Sequence, residues 1–254
     1  MGNILQTYQN IHKEFVNNRN NEVFKEYLFK QRKLSIEVVE EFKLGYNNRW
    51  FKVKEGEPLI GKDAVVIPTI DFYNRIVAFQ SRFVHKTEIK GREMRYLNTY
   101  IIPGVYEKKK TLYNLPNVIK NYYDRTVYIV EGVFDLMACY SQGIKNIVAT
   151  VGNRLSEETI EMLYRYFDKI TFVMDGGDQG IEMINFKNDR LKSIELYGVQ
   201  INNINNNDEV KDTNDMLIND IDIKDYINNN KKPLGNDFWG KWSRNQKKGS
   251  FITR

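Results

Sequence analysis

The chain has 254 residues and a mass of 30.1 kDa, which allows one large domain or two small ones. Its single cysteine, Cys139, excludes an internal disulfide, and one cysteine with two histidines excludes an ordinary self-contained zinc finger. No apolar run approaches the roughly 20 residues of a membrane span. The N-terminus also lacks the basic start and apolar stretch of a secretion signal. We therefore expect no zinc, no membrane partner and a cytoplasmic location.

The net charge of +5 hides an uneven distribution along the chain. Residues 1–125 carry a net charge of +8, residues 126–230 carry −9, and residues 231–254 carry +6. Basic surface attracts polyanions such as nucleic acid, and a carboxylate-rich segment that folds can be organised around metal cations. Charge runs are also common on solvated faces with no specific role, so charge alone leaves both interpretations open.

The first half of the chain predicts helices followed by a β-hairpin. Residues 3–30 have apolar side chains at helical spacing. Residues 64–70 and 75–84 are β-rich and flank a short turn, which predicts a hairpin. Residues 85–118 are basic and contain two prolines, and we expect them to be rich in loops.

From Thr126 onwards, strands and helices alternate. The predicted strands are Thr126–Val130, Asn146–Val151, Lys169–Met174 and Val199–Ile204. The predicted helices between them are Val133–Gln142, a helix capped by Ser156 and ending at Phe167, and Ile181–Tyr197. This alternation favours a parallel, doubly wound α/β sheet.

Acidic residues follow three of these strands. Glu131 follows the first, Asp175 and Asp178 follow the third, and Asp212 lies after the fourth, with Asp135 one helical turn beyond Glu131. The carboxyl ends of parallel strands meet at one edge, where ligands bind. Neighbouring carboxylates repel unless they are protonated or bridged by a cation such as Mg²⁺. Any one of these acids is also a common turn residue, but the ordered set indicates a metal-dependent phosphoryl or nucleotidyl transfer site.

These segments resemble the motifs of the Toprim domain. Val127–Asp135 (VYIVEGVFD) resembles its first motif, an apolar strand, Glu-Gly and an acid one turn later. Phe172–Gly180 (FVMDGGDQG) resembles the second motif, and Lys211–Leu217 (KDTNDML) resembles the third acidic loop in its primase branch. Toprim domains occur in topoisomerases, primases, some nucleases and recombination proteins, so this resemblance alone leaves the reaction open.

The residues that precede the Toprim-like segments narrow the range of possible reactions. Four blocks follow one another in order: KLSIEVVEEFKLGY (33–46), VVIPTIDFYNRIVAFQSRFV (65–84), RYLNTY (95–100) and YEKKKTLYNL (106–115). Together they are similar to the amino-terminal half of the RNA polymerase core of bacterial-type, DnaG-like DNA primases. The resemblance implies a mixed α+β N-terminal subdomain before a Rossmann-like Toprim subdomain.

The resemblance also implies a function and a division of the chain. Residues 1–125 would handle template and nucleotide, residues 126–230 would form the catalytic Toprim subdomain, and residues 231–254 would be a basic tail. The implied activity is that of a primase core, which makes short RNA primers on single-stranded DNA from ribonucleoside triphosphates during replication.

The resemblance assigns roles to individual residues. Glu131 and Asp175 are the expected catalytic residues. The expected ligands of Mg²⁺ or Mn²⁺ are Glu131, Asp135, Asp175, Asp178 and Asp212. The expected nucleic-acid or nucleotide contacts are Arg82, Arg95, Tyr96, Asn98 and Lys108.

The chain departs from the family pattern in three respects. Gly177 stands where the second motif usually has an acid, and the acid is Asp178 instead. Asn214 takes the second acidic place of the third motif, and Asp215 follows it. The family's zinc-binding module and helicase-binding domain have no counterpart in this sequence. We therefore expect a partner, such as a replicative helicase or another replisome protein, in a small replication system such as that of a phage.

Two other functions remain open at this point. A Toprim nuclease would cleave DNA with the same metals, although the primase-like first half argues against it. A non-catalytic Toprim protein that binds DNA during replication is supported by the acid missing at Gly177.

Overall fold

The computed structural model describes residues 2–50, 60–89, 91–100, 111–150, 155–175, 194–201 and 210–234. The chain forms two compact units, Met1–Glu107 and Lys108–Arg254. We call them the first and the second unit and describe each by itself.

The first unit begins with short, closely spaced helices. They are α1 (Gly2–Asn17), a 3₁₀ turn (Asn18–Asn20), α2 (Glu22–Lys25), a π-helical turn (Glu26–Gln31) and α3 (Ile36–Glu41). The expectation of helix over residues 3–30 is therefore confirmed in substance. Ser35 caps α3, because its hydroxyl accepts a hydrogen bond from the Val38 backbone N–H.

Four antiparallel strands follow these helices and pair in chain order. They are β1 (Gly45–Asn47), β2 (Ala64–Ile70), β3 (Ile76–Ile89) and β4 (Arg92–Tyr100). The predicted hairpin is β2–β3. The expectation that residues 85–118 are rich in loops is wrong for 85–100, since β3 continues to Ile89 and β4 pairs with it; residues 101–110 lie outside the described part of the chain.

The two faces of the sheet of the first unit carry different side chains, because successive residues of a strand point to opposite sides. One face packs against α1, with Phe15 of the helix in a core that includes Val66 and Phe79. On the other face Arg82 stands opposite Tyr96, and Gln80 stands opposite Asn98. The register of β3 and β4 thus places polar and aromatic side chains in adjacent rows.

The second unit contains a mostly parallel sheet. Its strands are β5 (Thr126–Val130), β6 (Ile147–Ala149), β7 (Lys169–Met174), β8 (Glu195–Gln200) and β9 (Lys232–Pro233). They are ordered β6-β5-β7-β8-β9, and only β9 is antiparallel to its neighbour. The expected α/β fold with an N-terminal α+β part is confirmed.

The helices of the second unit cover this sheet. They are α4 (Leu115–Asn121), α5 (Val133–Ser141), α6 (Glu157–Tyr166), α7 (Thr213–Ile218) and α8 (Ile223–Asn230). Ser156 caps α6 as predicted. The predicted helix Ile181–Tyr197 is wrong at its end, because β8 already begins at Glu195; its residues 181–193 lie outside the described part of the chain. Within that part, no helix is long and apolar enough to cross a bilayer.

Residues 111–121 belong to the second unit. Tyr113 forms a two-way backbone bridge with Ala149, with N···O distances of 2.8 and 3.2 Å. Leu112, Leu115 and Val118 are buried in the core beneath the parallel sheet. The functional division at residue 125, drawn from charge and resemblance, stays a prediction.

Gly45 provides a test of the packing of α1 on the first sheet. A Cβ atom at this position would lie 2.6 Å from the Phe15 Cβ and 2.8 Å from the Phe15 carbonyl carbon. The obstacle is helix backbone, so we expect Gly45→Ala to lower the free energy of unfolding by about 1–3 kcal/mol. Chemical denaturation measures this change. Glu93→Ala on exposed β4 is the control and should stay within about 0.5 kcal/mol of the parent; an equal effect of both variants would contradict the packing described.

Candidate acidic site and basic sheet face

Glu131 lies directly after β5 and is half-buried. Burial raises the pKa of its carboxyl, a hydrogen bond from the Asp175 backbone opposes this effect, and the charge of Asp212 adds to it. Its Oε1 atom is buried and has no hydrogen-bond partner within the described structure. Such an acceptor is costly to leave unpaired, and it is available to a cation or a donor that enters the site.

Asp135 lies in the first turn of α5 and is 7% exposed. Its Oδ1 accepts hydrogen bonds from the Thr213 hydroxyl and the Asn214 backbone N–H, both at 3.4 Å. The Thr213 hydroxyl also donates to the Asp135 carbonyl oxygen at 3.0 Å. Burial and the neighbouring charges of Asp212 and Glu131 raise the pKa of Asp135 to about 7. Asp135 therefore ties the first acidic segment to the start of α7.

Asp175 follows β7 and has the largest resolved shift of these carboxyls. Burial raises its pKa to about 9, and the charges of Asp135, Glu131, Asp212 and Asp215 act in the same direction. Burial and the four neighbouring negative charges all disfavour the ionised form of Asp175. Asp175 therefore lies where the negative charges of the other acidic segments act together on one carboxyl.

Asp212 has a structural task in addition to its predicted one. It is the N-cap of α7, and its Oδ1 accepts a hydrogen bond of 2.6 Å from the Asp215 backbone N–H. Asp215 in turn accepts a hydrogen bond of 3.0 Å from the Lys211 backbone N–H. This pair of hydrogen bonds fixes the loop before α7, so that Asp212 lies close enough to raise the pKa of both Glu131 and Asp175.

The structure thus brings four of the five predicted metal ligands to one edge of the sheet. These four are Glu131, Asp135, Asp175 and Asp212. Asp178, like Gly177, lies outside the described residues. Sequence reasoning did not identify Thr213 and Asn214 as the residues that hold Asp135. The only signal was their place directly after an N-capping aspartate, where backbone and hydroxyl donors are exposed.

The donor set fits a hard divalent cation. Its side chains offer carboxylate oxygens, Glu131 has an unpartnered buried oxygen, and the mutual repulsion of the acids would be relieved by positive charge. Within the described residues, no three acidic, histidine or cysteine side chains already converge as a cation site. The described acids therefore offer oxygen ligands suited to a hard divalent cation.

The second group of predicted residues lies on the sheet of the first unit. The Arg82 guanidinium carbon lies 4.6 Å from the centre of the Tyr96 ring, and Arg82 Nε donates a hydrogen bond of 2.9 Å to the Tyr27 hydroxyl. In the next row, Gln80 Nε2 donates to Asn98 Oδ1 at 3.1 Å. The structure therefore brings Arg82, Tyr96 and Asn98 to one sheet face, joined by Gln80 and Tyr27, which sequence reasoning did not identify.

Two predicted contacts are not part of this group in the structure. Arg95 is exposed, and strand alternation places it on the face opposite to Tyr96. Lys108 lies outside the described residues. Both assignments stay predictions.

The comparisons agree with this arrangement. Residues 128–217 match the family described as Toprim-like, a range that contains all four of the described acids. A curated DNA primase of Rickettsia felis is 30% identical over 237 residues, which is 83% of this chain and 36% of that protein. The chain spans about a third of the length of the first curated relatives that it matches.

Solved structures extend the likeness to nearly the whole fold. A DNA primase domain from Pseudomonas aeruginosa has a TM-score of 0.75 at 22% identity and covers 94% of this chain and 82% of that one. A DnaG primase catalytic domain bound to single-stranded DNA has a TM-score of 0.73 at 18% identity and covers 94% and 81%. The second unit therefore contains a Toprim-like domain. The chain as a whole has the fold of a bacterial-type DNA primase catalytic core, which confirms the resemblance.

The raised pKa values predict how stability depends on pH. The folded carboxyls at 135 and 175 hold protons more tightly than the unfolded chain, whose aspartates titrate near about 3.9. Stability in the absence of divalent cations should therefore fall as the pH rises from about 4 towards about 9, the folded pKa of Asp175. Asp175→Asn should raise the Tm at pH 8 and flatten this fall, as measured by thermal unfolding.

Asp168→Asn is the matched control for this experiment. Asp168 precedes the same strand, is exposed, and has a pKa lowered by its hydrogen bond with Arg125. Its removal should leave the downward slope in place. Equal slopes for the parent and Asp175→Asn would contradict the electrostatic description of the cluster.

Gly132 offers a second test, because a Cβ atom there would clash with the Asp135 Oδ2. Gly132→Ala should displace the Asp135 carboxyl from Thr213 and Asn214 and destabilise the protein by about 1–3 kcal/mol. In an Asp135→Ala background the obstacle is gone, so the same change should have a much smaller effect. Denaturant unfolding of the parent, the two single variants and the double variant measures the coupling between positions 132 and 135. Additive changes in the free energy of unfolding would rule out the contact with the Asp135 carboxyl as the cause.

Proposed function

We propose that this chain is the catalytic core of a DNA primase, which makes short RNA primers on single-stranded DNA by metal-dependent nucleotidyl transfer. The supporting observation is a single combination. Carboxylates from the ends of β5 and β7 and from the start of α7 lie together in a Toprim-like domain, and the sheet that precedes them has the fold of primase cores. The curated relatives that this chain matches are named DNA primases.

In this proposal Glu131, Asp135, Asp175, Asp178 and Asp212 hold divalent cations, Mg²⁺ or Mn²⁺. When bound, such ions bind the incoming triphosphate, lower the pKa of the attacking 3′-hydroxyl and offset charge at the transferring phosphorus. Glu131 and Asp175 are the principal ligands, since one has an unpartnered buried oxygen and the other is surrounded by like charges. Asp135 has hydrogen bonds that fix its orientation, so its main contribution is to keep α7 and Asp212 at the site.

The sheet face of the first unit supplies the nucleic-acid contacts in this proposal. Arg82 offers charged N–H donors to phosphate, and the Tyr96 ring beneath it limits the directions that the guanidinium can take. Asn98 is an amide that can bind a sugar or a base edge. Arg95 and Lys108 add phosphate contacts by resemblance. Single-stranded DNA and ribonucleoside triphosphates are the proposed ligands, in keeping with the related catalytic domain described as bound to single-stranded DNA.

A replicative helicase or another replisome protein is the proposed partner. The helicase, or the template, would bind to the basic segment 231–254. We place this activity in the cytoplasm of a bacterium or of a phage-infected cell, where replication takes place.

A primer synthesis assay tests the proposal. The protein is incubated with single-stranded DNA, four ribonucleotides and Mg²⁺ or Mn²⁺, and labelled RNA is resolved by length. We expect short RNA from the parent and a loss of at least about 100-fold in Glu131→Gln and Asp175→Asn, since each removes a ligand charge from the reacting centre. Asp168→Asn, at the opposite end of β7, should retain activity.

Other outcomes select the alternative functions. DNA cleavage without ribonucleotides and without RNA products would identify a Toprim nuclease. Binding of single-stranded DNA with neither activity, even after addition of a cognate helicase, would identify a non-catalytic replication protein. Equal activity of Asp168→Asn and Asp175→Asn would place the reacting centre elsewhere.

A further inference from the structure

The hydroxyl of Tyr27 lies between two arginine side chains of the first unit. Arg82 Nε donates to it at 2.9 Å, and Arg32 donates through Nε at 3.1 Å and through Nη2 at 3.0 Å. Tyr27 is 4% exposed, so this oxygen is held inside the unit. A phenol oxygen has two lone pairs that can accept hydrogen bonds, and here both arginines donate to this oxygen.

The backbone explains why Arg32 is in this position. Tyr27 lies in the π-helical turn Glu26–Gln31, and the Arg32 backbone N–H donates to the Tyr27 carbonyl at 3.0 Å. This wider turn brings the Arg32 side chain back over the Tyr27 ring, with the guanidinium carbon 5.2 Å from the ring centre. Single π-helical turns are rare, and they are frequent at functional sites.

Arg82 reaches the same oxygen from a separate element, strand β3. Arg82 also contacts Tyr96, through the face of the ring and through a side-chain hydrogen bond, and no carboxylate in the described structure is paired with it. Two guanidinium groups on one neutral oxygen repel each other. The Tyr27 phenol is neutral, so it holds the Arg82 guanidinium in place without cancelling its positive charge.

We propose that Tyr27 is a positioning residue, whose hydroxyl holds the Arg82 guanidinium over Tyr96 so that the remaining N–H donors of Arg82 bind a phosphate group. The proposal rests on the proposed function for the identity of the reaction, but the phosphate contact can be measured without it. The phosphate belongs either to the DNA backbone or to a nucleoside triphosphate, and the two sources give different readouts.

Tyr27→Phe tests the proposal, because it removes the hydroxyl and keeps the ring. The matched control is Tyr46→Phe, a buried tyrosine of the same unit whose hydroxyl donates to Asp63 at 3.3 Å and contacts neither arginine. Thermal unfolding of both variants shows whether each is folded. We expect about a tenfold loss of phosphate-dependent binding in Tyr27→Phe alone, the size of one hydrogen bond to a charged group.

The readouts separate the two sources of phosphate. Anisotropy with a fluorescent oligodeoxynucleotide at two salt concentrations measures the DNA backbone, and a raised Kd there assigns the site to template. The KM for ATP in primer synthesis, set against kcat, measures the triphosphate, and a raised KM with a smaller change in kcat assigns it to nucleotide. The anisotropy arm and direct titration with ATP remain valid even if no primer is made, so failure of the proposed function is seen separately.

An Arg82→Lys background completes the test. Lysine cannot make the forked contacts of a guanidinium, so Tyr27→Phe should have little further effect in this background if the hydroxyl acts through Arg82. Equal losses in both backgrounds, or equal behaviour of Tyr27→Phe and Tyr46→Phe in the binding assays, would overturn the proposal. If Tyr27→Phe does not fold, Arg82→Lys is compared with Arg82→Gln in the same two binding assays. If these two variants bind ATP equally well, and also bind the oligonucleotide equally well, Arg82 holds no phosphate and the proposal is overturned.

Discussion

Repulsion between partly buried carboxylates is the constraint on which the second unit depends. The parallel sheet carries acids to one edge from three separate segments, and burial, together with their mutual charges, raises the pKa values of Asp135 and Asp175 far above those of free aspartates. Such an arrangement opposes folding at neutral pH unless protons or cations neutralise part of the charge. The proposed divalent cations would relieve this repulsion, because they bring positive charge to the acids.

The structure counters this repulsion locally with backbone donors. Glu131 is bound by the backbone of Asp175, Asp135 by the backbone of Asn214, and Asp212 by the backbone of Asp215. These hydrogen bonds stabilise the ionised forms and at the same time fix the acids in position. Each acidic segment is thus anchored to another part of the site or to a helix start. This explains why residues 211–215, which lead into α7 and form its first turn, must be ordered for the cluster to exist.

The sequence was sufficient for the parts of the fold and of the site that are set locally. The ends of β5 and β7, with Glu131 and Asp175 directly after them, follow from apolar runs and turn residues. Strand β4 was missed because Arg92–Tyr100 is an edge strand of mixed polarity, and its pairing with β3 is specified by the partner strand. The link from Asp135 to Thr213 spans 78 residues, and only the tertiary fold reveals it.

The basic half of the chain shows why net charge is an incomplete guide to function. Residues 1–125 carry a net charge of +8, yet a surface lysine attracts any polyanion with little geometric preference. Arg82 differs because neutral groups, the Tyr27 hydroxyl and the Tyr96 ring, fix its direction, and no carboxylate among the described residues pairs with it. A carboxylate partner would have held it equally well but would have cancelled the field that a phosphate needs. The two proposed sites therefore share one physical rule: charge of one sign is held by neutral donors or acceptors, so that it would remain available to a ligand of the opposite sign.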